Sequence, residues 1–332
     1  MRWPAMRQLP RRSPRHRWPE RTSPVPTSSF SFFPPAFVPN MNHEILTSKP
    51  MRDAQTLTRA AFEVPAGACD AHVHVFGPAE HYPRVDHPHY TLPDGNLAQL
   101  HSALEVLGVE RFAIVQPSFY GTDNRCMLDA LDAAGDRARG VAMVEDDVSD
   151  EILREMHVRR VRALRLDLFL RQKLPTSQLH AHIERSIRRI RPLGWHVQFY
   201  TPGWVVRDLI PVLPDLESDF VIDHMGYMLE SDGLTRADFD RLLRAVADGR
   251  GWFKLSGPYR LAKDGNYARL RPLAQAIVET VPDRVIWGSD WPHIPEGGRD
   301  TGELLNLLGD WIPDPVARRK VLADNPARLF GF

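Results

Sequence analysis

The stretch CDAHVHVFGP (Cys69 to Pro78) sets two histidines one residue apart in a short apolar run. In an extended strand residues i and i+2 face the same way, so His72 and His74 share a side with Asp70, and Val73 and Val75 face the other. Two imidazoles and a carboxylate on one face can hold a metal, polarise a carbonyl or satisfy one another. The choice depends on what else faces that side. Further polar residues stand at the ends of β-rich runs: Ser118, Arg165, Tyr200, His224, Lys254, Ser256 and Asp290. Arg171 and Arg260 follow such runs in loops, and Tyr90 lies in the long segment after the first. A guanidinium grips a carboxylate through two parallel hydrogen bonds, so Arg165, Arg171 and Arg260 at one rim imply a small anionic substrate.

The elements that must carry these residues alternate. Eight apolar runs (ACDAHVHVF, RFAIVQPS, RGVAMVE, VRALRLDL, HVQFYTP, DFVIDHM, WFKLSG and RVIWGSD) are separated by segments of helical periodicity such as LAQLHSALEVLG, CMLDALDAAG and RADFDRLLRAVAD. Strand and helix in turn predict a parallel sheet with helices outside it. Residues 61–332 have the length of a closed (β/α)8 TIM barrel, for which about 250 residues are typical. Side-chain parity agrees. Leu164, Leu166 and Leu168 oppose Arg165 and Asp167; Val197 and Phe199 oppose Gln198 and Tyr200. The polar set gathers at the C-terminal ends of the strands, where barrel enzymes place their sites. No Gly-rich phosphate fingerprint follows the first strand, which opposes a dinucleotide fold.

Composition narrows the partners. Bases and acids balance at 42 each, but seven arginines and one acid lie in residues 1–40, which leaves 35 bases and 41 acids beyond. A folded part with excess acid gives nucleic acid no phosphate-binding face. No run of about 18 apolar residues is present, so no membrane span is expected. Residues 1–40 also hold nine prolines. Residues 1–60 therefore read as an extension outside the fold, disordered or the product of a start assigned too early, with Met41 or Met51 as alternative starts. Two cysteines, Cys69 and Cys126, cannot make a disulfide framework, which points to a reducing cytoplasmic setting. Nothing in the chain sets the oligomeric state.

His-x-His on the first strand, DHMG at the sixth and WGSDWPH at the eighth, in that order, resemble the amidohydrolase superfamily, in its amidohydrolase-2 branch of decarboxylases and lactonases. CDAHVHVFGP, ALRLDLFLR and KLSGPYRL are similar to the lactonase group of 2-pyrone-4,6-dicarboxylate hydrolase and 4-sulfomuconolactone hydrolase. Many amidohydrolases bind a divalent ion such as zinc, here through His72, His74 and Asp290. A binuclear site, however, needs a carboxylated lysine where this chain has Arg165. A mononuclear site takes a histidine late on the fifth strand, whereas His196 begins it, about 13 Å from the rim at ~3.3 Å per residue. The resemblance thus implies operation without cofactor. It assigns Asp290, His72, His74 and His224 to catalysis, and Arg165, Arg171, Arg260, Tyr90, Ser118 and Tyr200 to substrate binding. Asp290 would activate water against the lactone carbonyl and the histidines would stabilise the oxyanion. The competing expectations are a sugar-acid lactonase or lactone isomerase, a metal-dependent decarboxylase, and a carboxylate-binding barrel without turnover.

Overall fold

A computed structural model of the protein describes residues 52–85, 95–228, 234–294 and 297–332. All of them belong to one compact unit, Asn42–Phe332. Eight parallel strands form one sheet in sequence order. They are β1 (Cys69–Val73), β2 (Arg111–Val115), β3 (Ala138–Ala142), β4 (Val161–Asp167), β5 (His196–Tyr200), β6 (Phe220–Ile222), β7 (Gly251–Leu255) and β8 (Val285–Trp287). Helices cross between them, among them α1 (Leu97–Leu107), α2 (Arg125–Ala134), α3 (Asp150–Val158) and α4 (Thr176–Ile190). The expected (β/α)8 barrel is what the chain forms.

Local chemistry explains the helix starts. Asn96 accepts from the Gln99 N–H while the Gln99 side chain accepts from the Asn96 N–H. This reciprocal cap, worth about 1 kcal/mol, opens α1. The β-strands pack on both faces. Phe112, Ile114, Val197, Phe199, Phe220, Ile222 and Phe253 join helix residues such as Leu100 and Leu104 in the outer core. The opposite parity gives Cys69, Ala71, Ala113, Val141, Ala163, Val221 and Ile286, which pack against Phe330 in the barrel. Above that apolar floor the inward positions turn polar: Arg165 pairs in register with Gln198, and Asp167 with Tyr200.

One expectation about β1 fails. Asp70 pairs with Phe112 and Val73 with Ile114, so three steps on β1 span two on β2. This bulge puts an extra residue into the strand and reverses its parity. Asp70 therefore falls in the outer row with Phe112, not with the two histidines. Its carboxylate accepts instead from the N–H groups of His72 and Ser289, at 3.1 and 2.9 Å.

A second correction concerns the N-terminal boundary. Residues 52–60, grouped by sequence with the extension, are tied to the barrel. Asp300 begins a helix at Thr301 and accepts from the Thr58 N–H, the Thr58 hydroxyl and Arg52. Residues 1–51 lie outside the described residues. Among the described residues no helix is long and apolar enough to cross a membrane.

The barrel closes where the segment after β8 meets β1. Asp290 N–H donates to the His72 carbonyl and His74 N–H to the Trp291 carbonyl, both at 2.8 Å. Gly288 makes this approach possible, since a Cβ there would stand 2.5 Å from the His72 Cβ. Gly288→Ala is expected to cost about 1–3 kcal/mol of stability by overpacking. It should also cost at least about 10²-fold in turnover, because a ~1 Å displacement of His72 is enough for that. Urea unfolding and steady-state kinetics check both; an unperturbed variant would show that the seam tolerates spreading.

Candidate active site

The barrel gathers the chemistry at the strand ends. His72 and His74 extend from β1, and β6 delivers His224 through a backbone that no ordinary strand end provides. His224, Met225, Gly226 and Tyr227 all take left-handed φ, at 50°, 53°, 79° and 49°. Such conformations cost non-glycine residues energy and persist where the surroundings enforce them. Asp290 itself has φ 65°. Gly257, also left-handed at φ 56°, lets the turn after β7 pass close to His224.

Asp290 is fully buried and central. Its Oδ2 accepts from the Tyr259 hydroxyl and from Arg260 Nε, both at 2.6 Å. Its Oδ1 lies 3.6 Å from His72 Nε2 and 3.4 Å from His74 Nε2. Neither Oδ1 nor His72 Nε2 has a hydrogen-bond partner among the described residues. His74 Nδ1 lies 2.7 Å from the Val115 carbonyl, and His224 Nδ1 lies 2.8 Å from the Ser256 hydroxyl. The imidazoles of His72 and His224 are 4.9 Å apart.

Charge states follow from burial and neighbours. Burial alone would raise the Asp290 carboxyl, but the Arg260 guanidinium, with the nearby histidines, holds it well below the usual carboxylate range. Burial drives all three histidines the other way: His72 and His74 are lowered, and His224 falls to about 3. They stand neutral at pH 7. The main reason Asp290 stays ionised is thus Arg260 rather than a ring of cationic imidazoles.

Beneath the histidines lies a second buried set. Lys254 Nζ sits 2.8 Å from Asp223 Oδ1, 2.7 Å from Gln198 Oε1 and 3.1 Å from His72 Nδ1. Gln198 Nε2 continues to His196 Nε2 at 3.0 Å. His196 packs against Phe330, on the floor of the barrel.

The cleft beside Asp290 is lined by His74, Ser118, Phe119, Arg165, Tyr200, Arg260 and Ile294. Arg165 is buried there, its guanidinium carbon 4.2 Å above the Tyr200 ring. Its Nε and Nη1 have no hydrogen-bond partner among the described residues. A buried guanidinium with unsatisfied N–H groups is a ready anion site, since orphaned donors are costly. The Ser118 hydroxyl donates to Asp167 at 2.6 Å. Arg171 does not join this lining. It stays in the loop after β4, 3.8 Å from Asp146, an acid it shares with His182 and Arg185. Tyr90 lies outside the described residues. Tyr259, Asp223 and Gln198 were missed as site residues.

Among the described residues two donor groups come close enough for a metal: His72, His74 and Asp290, and His72, Asp223 and His224. The second does not fit a dication as arranged, because the Lys254 ammonium already stands between Asp223 and His72. The first supplies the three protein ligands of a catalytic zinc site, but its carboxylate is already held by the Arg260 guanidinium, a competing cation.

A profile of the amidohydrolase family matches residues 69–332. The chain belongs to the amidohydrolase family. Within it, the chain is 35% identical over 285 residues to a 2-pyrone-4,6-dicarboxylate hydrolase of Comamonas testosteroni, covering 82% of this chain and 93% of that one. It is also 35% identical over 277 residues to a 4-sulfomuconolactone hydrolase of Rhizobium radiobacter, covering 82% and 92%. Among solved amidohydrolase structures, a probable 2-pyrone-4,6-dicarboxylic acid hydrolase from Acinetobacter baumannii with citric acid bound superposes with TM-score 0.69 at 28% identity. It covers 80% of this chain and 100% of that one. The named relatives are lactone hydrolases, and the chain is accordingly a hydrolase of the kind that acts on cyclic esters.

The buried seam has a pH signature. Burial pushes the Asp70 carboxyl up to about 7 despite its bonds from Ser289 and His72. The folded protein therefore keeps a proton that the unfolded chain gives up near pH 4, so the contribution of Asp70 to stability declines as pH rises from about 4 to about 7, against the gain up to about pH 6.5 from His72, His74 and His224, which fold neutral. Asp223 and Asp290, both held low, act below that window. Asp70→Asn, which cannot ionise, removes this contribution, so its stability relative to the wild type should rise with pH across that window. Urea midpoints between about pH 5 and 8 check it, and parallel slopes in both proteins would refute it.

Proposed function

We propose that the protein hydrolyses the ring ester of a small planar lactone bearing carboxylates, of the 2-pyrone-4,6-dicarboxylate kind, without a metal and with Asp290 as general base. One observation carries the reading: the buried Arg165 guanidinium, with Nε and Nη1 unsatisfied among the described residues, lines the same cleft as Arg260, beside an ionised Asp290. Two guanidiniums beside a base suit a doubly anionic guest better than a neutral sugar lactone. The named relatives act on a pyrone dicarboxylate and a sulfonated lactone, and the bound citric acid of the solved relative supports an oxyanion-binding cleft.

The steps use groups already described. Arg165 and Arg260 clamp the substrate carboxylates, and Tyr200 and Phe119 flank the flat ring. Asp290 Oδ1, which lacks a hydrogen-bond partner among the described residues, takes a proton from water. The water oxygen attacks the lactone carbonyl carbon. His72 and His224 stabilise the oxyanion that develops on the carbonyl oxygen. The ring C–O bond then breaks, and Asp290 returns its proton to the departing enolate oxygen, restoring the base. An enolate is a far better leaving group than an amine, so general-base help of about 10²–10⁴-fold with oxyanion stabilisation is sufficient without a Lewis acid. The reading carries a cytoplasmic location, supported by Cys69 and Cys126 being buried and unpaired.

The test is the ultraviolet change on opening 2-pyrone-4,6-dicarboxylate, with and without chelator. Turnover should be unaffected by chelator. Asp290→Asn should lose at least about 10³-fold in kcat. Arg165→Met should raise KM by about 10–100-fold, the worth of a charged hydrogen bond. Activity that collapses with chelator and returns with zinc would overturn the metal-free reading, and inactivity on this pyrone would overturn the substrate.

A further inference from the structure

Lys254 has no part in the reaction as described, yet it is fully buried beneath the histidines and meets three polar atoms. An ammonium carries three N–H donors and no acceptor. It donates to Gln198 Oε1 at 2.7 Å, pairs with the Asp223 carboxylate at 2.8 Å and meets His72 Nδ1 at 3.1 Å. Because an ammonium has nothing to accept with, each of these neighbours must turn an electron pair to it. Gln198 fits this, because its Nε2 is turned to His196 and leaves Oε1 for the lysine. Asp223 fits it as the counter-ion that keeps the amine charged. His72 Nδ1 is then an acceptor, and the one proton of the neutral ring lies on Nε2, 3.6 Å from Asp290 Oδ1.

His74 is arranged the opposite way. Its Nδ1 faces the Val115 carbonyl at 2.7 Å. A carbonyl only accepts, so this nitrogen carries the proton and Nε2 presents a lone pair.

We propose that Lys254 is a positioning residue that locks His72 as an Nε2–H donor and thereby gives the two histidines of the His-x-His pair different roles. His72 donates to the oxygen that becomes negative, and His74 accepts from the attacking water. Two lone pairs facing Asp290 would instead repel the carboxylate and leave the oxyanion without this donor. The same lock removes the Nε2 lone pair that His72 would need to ligate an ion. A family motif suited to metal binding is turned here by one ammonium into a donor and an acceptor. The kinetic consequence rests on the lactone-hydrolysis reading; the tautomers do not.

The test begins with the unmodified protein. Long-range nitrogen–proton correlation spectra of the ¹⁵N-histidine-labelled enzyme, assigned through His72→Gln and His74→Gln, report which ring nitrogen carries the proton. The expected result is Nε2–H for His72 and Nδ1–H for His74 near pH 7. A His72 ring protonated at Nδ1, or at both nitrogens, overturns the inference. The second arm compares Lys254→Met with Lys254→Gln, which keeps an N–H donor. Lys254→Met should lower kcat on the pyrone about 10²-fold, the worth of a second-layer partner or a lost oxyanion donor, with KM within about threefold. Lys254→Gln should recover part of the loss. Wild-type kcat in Lys254→Met, or a loss confined to KM, also overturns it. If Lys254→Met does not fold, the wild-type spectrum decides alone. If the pyrone is not turned over, the substrate reading fails while the spectrum still judges the lock.

Discussion

The hydrogen bond from the Asp290 N–H to the His72 carbonyl, at 2.8 Å, is the constraint on which this site depends. It belongs to the seam where the eighth strand meets the first and the barrel closes. Closing a barrel fixes strand tilt and stagger together, so the seam is set by the whole sheet rather than by local preference. The base and its neighbouring histidine lie on opposite sides of that seam. Their separation therefore inherits the rigidity of eight strands, and a site built on strands holds its geometry more tightly than one built on loops. Gly288 and the β1 bulge are local accommodations to this closure. The first allows the backbones to meet; the second turns Asp70 outward, where it ties Ser289 to His72.

Charge inside the barrel is arranged in two layers. The upper layer pairs Asp290 with Arg260 and Tyr259; the lower pairs Lys254 with Asp223. Buried ion pairs seldom add net stability, because desolvation costs about what the attraction returns. Their presence in a core that could have been filled with Leu and Val calls for another reason. Here each cation faces a specific atom of a reacting group. Arg260 keeps the base ionised in a site that would otherwise protonate it, and its remaining N–H groups serve the cleft. Lys254 orients a ring rather than neutralising a ligand.

Much of this was legible in the sequence. Eight apolar runs and their alternating parity are backbone-period information, and each run became a strand. Arg165 and Tyr200 point inward because period-two alternation held on β4 and β5. What failed did so for physical reasons. Asp70 was placed on the wrong face because a bulge has no signature in a single sequence. Residues 52–60 seemed part of a proline-rich tail, but their anchor, Asp300, lies more than 240 residues away in sequence. Asp223 and Tyr259 sit beside motif residues and were hidden by them; asking which group balances the charge of Lys254 would have flagged Asp223, and asking which donors a buried Asp290 needs would have flagged Tyr259. Arg171 has the spacing of a rim arginine but rests on a loop, where an exposed acid competes for it.

The histidines carry the broader lesson. A pair of imidazoles one residue apart reads the same whether it ligates, donates or accepts, since spacing fixes direction and not protonation. Protonation is decided by the atom behind each ring, a backbone carbonyl for His74 and an ammonium for His72. Those partners come from β2 and β7, far apart in sequence. In the proposed reaction, binding in the cleft rests on arginines, which stay charged at any physiological pH, while the proposed reacting groups are held far from their ordinary titration ranges by burial and by fixed cations. On that proposal affinity and chemistry are separated: arginine charge captures the anion, while neutral rings and one ionised carboxylate act on its ester. A histidine left free to change its protonation would blur that division, which is why a buried lysine behind His72 is consistent with everything else the barrel arranges.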